Sequence, residues 1–207
     1  MPTHYKTEVL VEADARDLTI LETVKSELGI VKNDHDDVLS RLIHQQSAAA
    51  ETYCNRVFAK ETLVDHLRLY GQWAVGNLIL SRYPVESITS IVEDDVTLDA
   101  ALFDFDPATG IVWRLDASGY PQPFYSNVVA TFVAGYELLA ELPHDIERAV
   151  ILMVKQAWYA RTRDPLVKSE DVPGVLRQDF WVGTVGENAL PPEAASLLDP
   201  YRRRMVF

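Results

Sequence analysis

Residues 131–163 (TFVAGYELLAELPHDIERAVILMVKQAWYARTR) constrain this 207-residue chain more than any other stretch. They continue a β-branched, apolar run over 127–133 (Val128, Val129, Thr131, Phe132, Val133) that suits a half-buried strand. Gly135 is free to take positive φ and stops it. Pro143, with a fixed φ and no N–H, suits a first helical position, and Asp145 sets a negative charge in the first turn. Ile146, Ala149, Val150, Met153, Val154 and Ala157 then recur at helical spacing, while Ile151, Leu152, Trp158 and Tyr159 fall outside that stripe. A helix apolar over so much of its circumference predicts burial on two sides. One side is the chain's own core and the other a neighbouring subunit, with Ile151, Trp158 and Tyr159 as the expected inter-subunit contacts.

The rest of the chain is arranged around this helix. Residues 1–16 read as extended and loosely held. Residues 19–28 predict a short helix with a Thr19/Glu22 capping box, a Leu21, Val24, Leu28 stripe and a stop at Gly29. Residues 33–58 predict a long helix entered through N-D-H-D-D. Val38, Leu42, Ala49, Tyr53 and Val57 share one of its faces, and Ala48, Ala49 and Ala50 allow close approach. Residues 61–133 break into short strands, with Asp106 to Gly110 as a hairpin turn. Residues 164–207 are interrupted by Pro and Gly but carry Phe180, Trp181, a short helix over 192–201, and Arg202, Arg203 and Arg204.

The expected fold is mainly α with a β-rich insert (α+β). A body over 17–163 holds three or four helices (19–28, 33–58 and 143–162) and a small antiparallel β insert (61–133). A flexible N-terminus (1–16) precedes it, and an extended C-terminal arm (164–207) follows. An arm with large apolar groups and few regular elements is expected to pack on a partner.

Charge and motif content narrow the function. The net charge is −12, and residues 61–142 hold 3 basic against 12 acidic side chains, a surface that repels nucleic acid. One cysteine, Cys54, can form neither an internal disulfide nor a cysteine-based zinc site, in keeping with a reducing compartment. No apolar run marks the first residues as a secretory signal, and none reaches the ~20 residues of a membrane span. Asp34, Asp36 and Asp37 beside His35 offer the alternative of a metal-dependent nuclease or hydrolase. Adjacent helical positions diverge, however, and capping accounts for the same residues. Histidine-pair metal spacing, a nucleophile elbow, a phosphate loop and a dinucleotide fingerprint are all missing from the sequence. No catalytic residue, metal or cofactor is expected.

One ordered set of motifs runs through the chain. Leu18, Leu21, Val24, Lys25 and Leu28 come first, followed by Asp34, Asp36, Asp37, the alanines 48–50 and Tyr53. Tyr83, Pro84, Val85, Ser87, Ile88, Ser90 and Ile91 then lead to V-A-T-F-V-A-G-Y (129–136) and L-P-H-D-I (142–146). Pro173, Gly174, Val175 and L-L-D-P-Y-R-R (197–203) close the series. Over residues 17–204 this resembles the head–tail connector (adaptor) family of tailed bacteriophages, prophages and gene transfer agents. The resemblance implies a non-enzymatic ring, usually a dodecamer, under the portal protein. Such a ring extends the DNA channel, passes double-stranded DNA without specific binding, and offers a surface to the next neck protein, of stopper or tail-terminator type. It also implies assembly in the bacterial host cytoplasm, residence at the particle neck, and no membrane contact. In the family the C-terminal segment reaches the portal, which points here to Phe180, Trp181, Leu197, Leu198, Tyr201, Arg202, Arg203 and Arg204. The first residues and the β insert face later-joining partners or neighbouring subunits.

Overall fold

A computed structural model of the chain describes residues 4–68, 74–161, 169–172, 176–179 and 190–203. The chain divides into two units, each built from two separated stretches: 1–15 with 57–137, and 16–56 with 138–207.

Among the described residues the first unit is built of strands, with one short 3-10 turn at Ala100–Leu102. It comprises β1 (His4–Val11), β2 (Glu61–Arg68), β3 (Leu78–Ile79), β4 (Val85–Glu93), β5 (Val96–Thr97), β6 (Phe103–Asp106), β7 (Ile111–Leu115), β8 (Pro121–Gln122) and β9 (Val128–Ala134). One antiparallel sheet runs in the order β1-β2-β9-β4-β5, and a second runs β3-β7-β6 with β8 paired to β7. Side chains alternate across a strand, so β9 sends Val128, Ala130, Phe132 and Ala134 inward, each fully buried. They meet Leu63 and Leu67 of β2, Ile91 of β4, Leu78 and Val112 of the second sheet, and Phe124.

Two carboxylates share the inward face of β2. Glu61 pairs with the Arg82 guanidinium. Asp65 accepts from Thr7 Oγ1 (2.8 Å), Ser81 N (2.7 Å) and Ser81 Oγ (2.7 Å). Both residues are buried, and buried carboxylates persist when their lone pairs are filled in this way. At the end of β9, Gly135 (φ 115°) sends its N–H to Pro84 O, while the Tyr136 N–H bonds Phe58 O.

The second unit holds α1 (Leu21–Leu28), α2 (Asp36–Cys54), α3 (His144–Ala160) and α4 (Pro192–Leu198), the last followed by a 3-10 turn, Asp199–Tyr201. α3 packs against α1, α2 and α4. Ile146, Ala149, Val150, Ile151, Met153 and Val154 are all buried, whereas Leu152 and Trp158 are half-buried and Tyr159 is exposed. A short antiparallel pair, β10 (Ser169–Val172) and β11 (Leu176–Asp179), lies in the same stretch of chain.

The architecture departs from the expected one. The β region is not a small insert in a helical body: two antiparallel sheets with a core of their own make up a whole unit. The first residues contribute to it, because His4–Val11 is the edge strand β1 on β2. Nor is the C-terminal region simply an extended arm, since Ala194, Ala195 and Leu198 of α4 are buried.

Local readings shift as well. The α1 cap is Ile20, with no side-chain cap bond. Thr19 Oγ1 instead donates to Glu147 Oε1 of α3 at 3.2 Å, so a tertiary partner replaces the capping box. In α2 the buried face is Leu39, Ile43, Ser47, Ala50 and Cys54, about one residue round from the expected stripe. Ser47 explains the shift: its hydroxyl accepts the Leu18 N–H at 3.0 Å, so a polar position serves the core. Pro143 stands at the cap of α3 rather than its first turn.

Candidate docking surfaces

The C-terminal turn is tied to the end of α2. That helix finishes at Asn55 in the left-handed conformation (φ 49°) and has no basic residue of its own in the last turn. The Asn55 and Arg56 N–H groups turn back to the Thr52 and Glu51 carbonyls, which leaves the last carbonyl to be met from elsewhere. Cys54 O accepts the Arg203 N–H at 2.9 Å. The Arg202 guanidinium lies 5.0 Å from the centre of the Tyr53 ring, a cation–π distance, and Tyr53 donates its hydroxyl to Asp199 Oδ1 at 2.6 Å. This bond, ahead of burial, raises the pKa of Tyr53. Cys54 lies beneath, its thiol pushed up to about 11 by burial, so it is a packing residue and not a nucleophile.

The expected portal-facing residues therefore separate. Leu198 is 0 % exposed and belongs to the unit's own core. Leu197 and Tyr201 are half-buried, while Arg202 and Arg203 are exposed. Phe180, Trp181 and Arg204 lie outside the described residues.

A second surface forms where α3 ends. Trp158 is half-buried between two cationic or polar neighbours. The His35 ring meets it edge-on at 5.1 Å, and the Arg161 guanidinium lies 4.3 Å from its centroid. Tyr159 beside it is 61 % exposed. Ile151, by contrast, is 5 % exposed and is filled from its own chain. Glu27 of α1 receives Lys155 Nζ and Arg148 Nη1, each at 3.2 Å, and these two hydrogen bonds hold its carboxyl below the usual range. They fix α3 against α1.

The acidic entry to α2 is not gathered into a cation site. Asp36 accepts from Lys25 Nζ at 2.7 Å, and the same ammonium reaches Asn33 Oδ1 at 2.7 Å. Among the described residues no group of three or more His, Cys, Asp or Glu side chains is placed to hold a metal ion. The three contacts that sequence reasoning missed, Tyr53–Asp199, His35–Trp158 and Thr19–Glu147, each join residues more than 120 apart. No local pattern announces them. The apolar excess of α3 was the only hint that several elements would converge on it.

Among the described residues Trp158, Tyr159, Arg202 and Arg203 reach the surface, and aromatic and arginine side chains there suit contact with other proteins. Surfaces of this kind occur on structural assembly proteins. The chain belongs to the head completion protein (HCP) family, whose profile matches residues 17–204. This is a structural family of the phage head-completion and neck class, not an enzymatic one.

Among solved structures, a chain from the neck of an empty gene transfer agent (GTA) particle, computed with C6 symmetry, is similar at TM-score 0.59. It is 19% identical, with 98% of this chain and 97% of that chain covered. A chain from the virion of a native GTA particle gives TM-score 0.57 at 19% identity, covering 97% of each. One from the neck of a native GTA particle, computed with C12 symmetry, gives 0.56 at 18% identity, covering 98% and 97%. These likenesses concern the fold. No curated protein matches the chain.

Proposed function

We propose that this protein is a head–tail connector that forms a ring under the portal of a phage or gene-transfer-agent particle. The ring, a dodecamer in this reading, extends the DNA channel and presents a surface to the next neck protein. The observation that carries it is the fold likeness over nearly the whole of both chains to a neck chain from a particle reconstructed with C12 symmetry. Family membership over residues 17–204 supports the same role. Head-to-tail contacts close rings, and Trp158 with exposed Tyr159 is the subunit contact put forward. Portal docking falls to Phe180, Trp181, Leu197, Tyr201, Arg202, Arg203 and Arg204, with buried Leu198 supporting them from within. Residues 164–207 would then combine a docked helix with a portal-directed segment. A net charge of −12 favours passage of DNA without adhesion. Assembly would take place in the host cytoplasm and the finished protein would reside at the neck.

The test is electron microscopy of particles carrying a labelled copy of the protein. Label in a twelve-fold ring beneath the portal is the expected result, and label absent from the neck overturns the reading.

A further inference from the structure

We propose that the outer face of the second sheet, β3-β7-β6, docks a segment of another neck protein in which apolar side chains lie beside Lys or Arg. The proposal rests on the neck reading above and adds to it the site and the partner's chemistry.

The face follows from register. Leu78 pairs with Val112, and both are buried in the unit's core. Their neighbours Ile79 and Ile111 pair with each other and so lie on the opposite side. Trp113 and Leu115 fall in phase with Ile111. Across β6, Asp106 stands opposite Ile111 and Asp104 opposite Trp113. One face thus reads Ile79, Ile111, Trp113 and Leu115, bordered along β6 by two carboxylates. Ile79 is 58 % exposed, and the other three apolar side chains are half-buried.

A tryptophan amid aliphatic side chains, partly open to water, is the composition of an interface anchor. The border decides the partner. Asp104 is exposed, and Asp106 is held in its charged form by the Thr109 hydroxyl and the Ala108 N–H. The unit carries 5 Lys and Arg against 14 Asp and Glu, a net of −9. Nucleic acid is repelled by such a surface, and the same face of a second copy would set like charge against like. A basic rim around apolar side chains complements both parts of the face.

The test places p-benzoylphenylalanine at Ile79 of the full-length protein in assembled particles, followed by irradiation and mass spectrometry of the adducts. The expected adduct lies in a different particle protein, in a segment where apolar residues adjoin Lys or Arg. No adduct from particles that contain the variant overturns the proposal, as does an adduct to a second copy of this chain or to DNA. If neither wild type nor variant is found in particles, the neck reading fails and takes the proposal with it. A companion Asp104→Lys variant, checked for an unchanged melting temperature, should lower the adduct yield about tenfold through like-charge contact. An unchanged yield overturns the charge requirement. Asp104→Asn serves the same purpose if the lysine variant does not fold.

Discussion

Tyr53 donates its hydroxyl to Asp199 at 2.6 Å, fastening the last turn of α2 to the turn that follows α4. The two residues are 146 positions apart, so this bond closes the second unit across most of the chain. It makes the C-terminal helix part of the fold.

Leu198→Ala should therefore destabilise the protein by about 2–5 kcal/mol, the range for truncating a buried leucine. Tyr53→Phe should cost about 0.5–1.5 kcal/mol. Removing residues 192–207 should lower the urea midpoint further than either. A truncated protein with the wild-type midpoint would show that α4 contributes nothing.

Gly135 carries a second, independent prediction. At φ 115° an added Cβ would come within 2.3 Å of Ala59 O, a backbone atom with little freedom to move. Gly135→Ala should destabilise, by more than the roughly 0.4–1 kcal/mol that the same replacement gains where the backbone permits it. Thermal unfolding measures it, and a stabilised variant would contradict the geometry.

Asp65 fills three donors inside the first unit. Asp65→Ala leaves the Ser81 N–H and two hydroxyls to find other partners, and each buried donor left unpaired costs about 1–3 kcal/mol. Asp65→Asn keeps the shape and can still accept the Ser81 N–H while its NH2 donates to the hydroxyls, but it loses the charge-assisted bonds, so it should recover only part of the loss. Denaturant titration of both variants orders them.

The Cys54 thiol gives a pH dependence. Its pKa is raised by burial from an ordinary value of 9.0 to about 11 in the folded state. The associated stability is fully present below pH 9 and is lost as pH rises through about 11, where the buried thiolate would form. Stability measured between pH 8 and 11 should fall more steeply for wild type than for Cys54→Ala. At pH 8 a thiol reagent should react only at the rate of unfolding.

Tyr159 tests the surface rather than the fold. Tyr159→Asp at this exposed position should change stability by less than about 0.5 kcal/mol. If the residue lies between subunits, its incorporation into particles should drop severalfold. Equal incorporation would remove Tyr159 from the ring contact.

The helices were legible because each has a strong periodic stripe, and α3 most of all. The phase of α2 was not, because the pattern of Val38, Leu42 and Ala49 cannot reveal that Ser47 faces inward to receive Leu18. The sheets were underestimated for a different reason. β1 is an edge strand whose HYKTEVLV mixes polar and apolar residues without clean alternation, and β5 and β8 are two residues each. Such strands exist only through their partners. The C-terminal apolar residues looked partner-seeking, yet a buried Leu198 and an exposed Tyr159 carry no distinguishing mark in sequence, because burial depends on elements far along the chain.

Each unit is stitched from two lengths of polypeptide with the other's residues intervening. A ribosome delivering this chain in order finishes neither half early: β1 waits for residues beyond 60, and α2 waits for the helix at 192. Early intermediates must therefore hold open strand edges and uncovered helix flanks for most of synthesis, which makes slow folding and a need for chaperoning the natural companions of this topology.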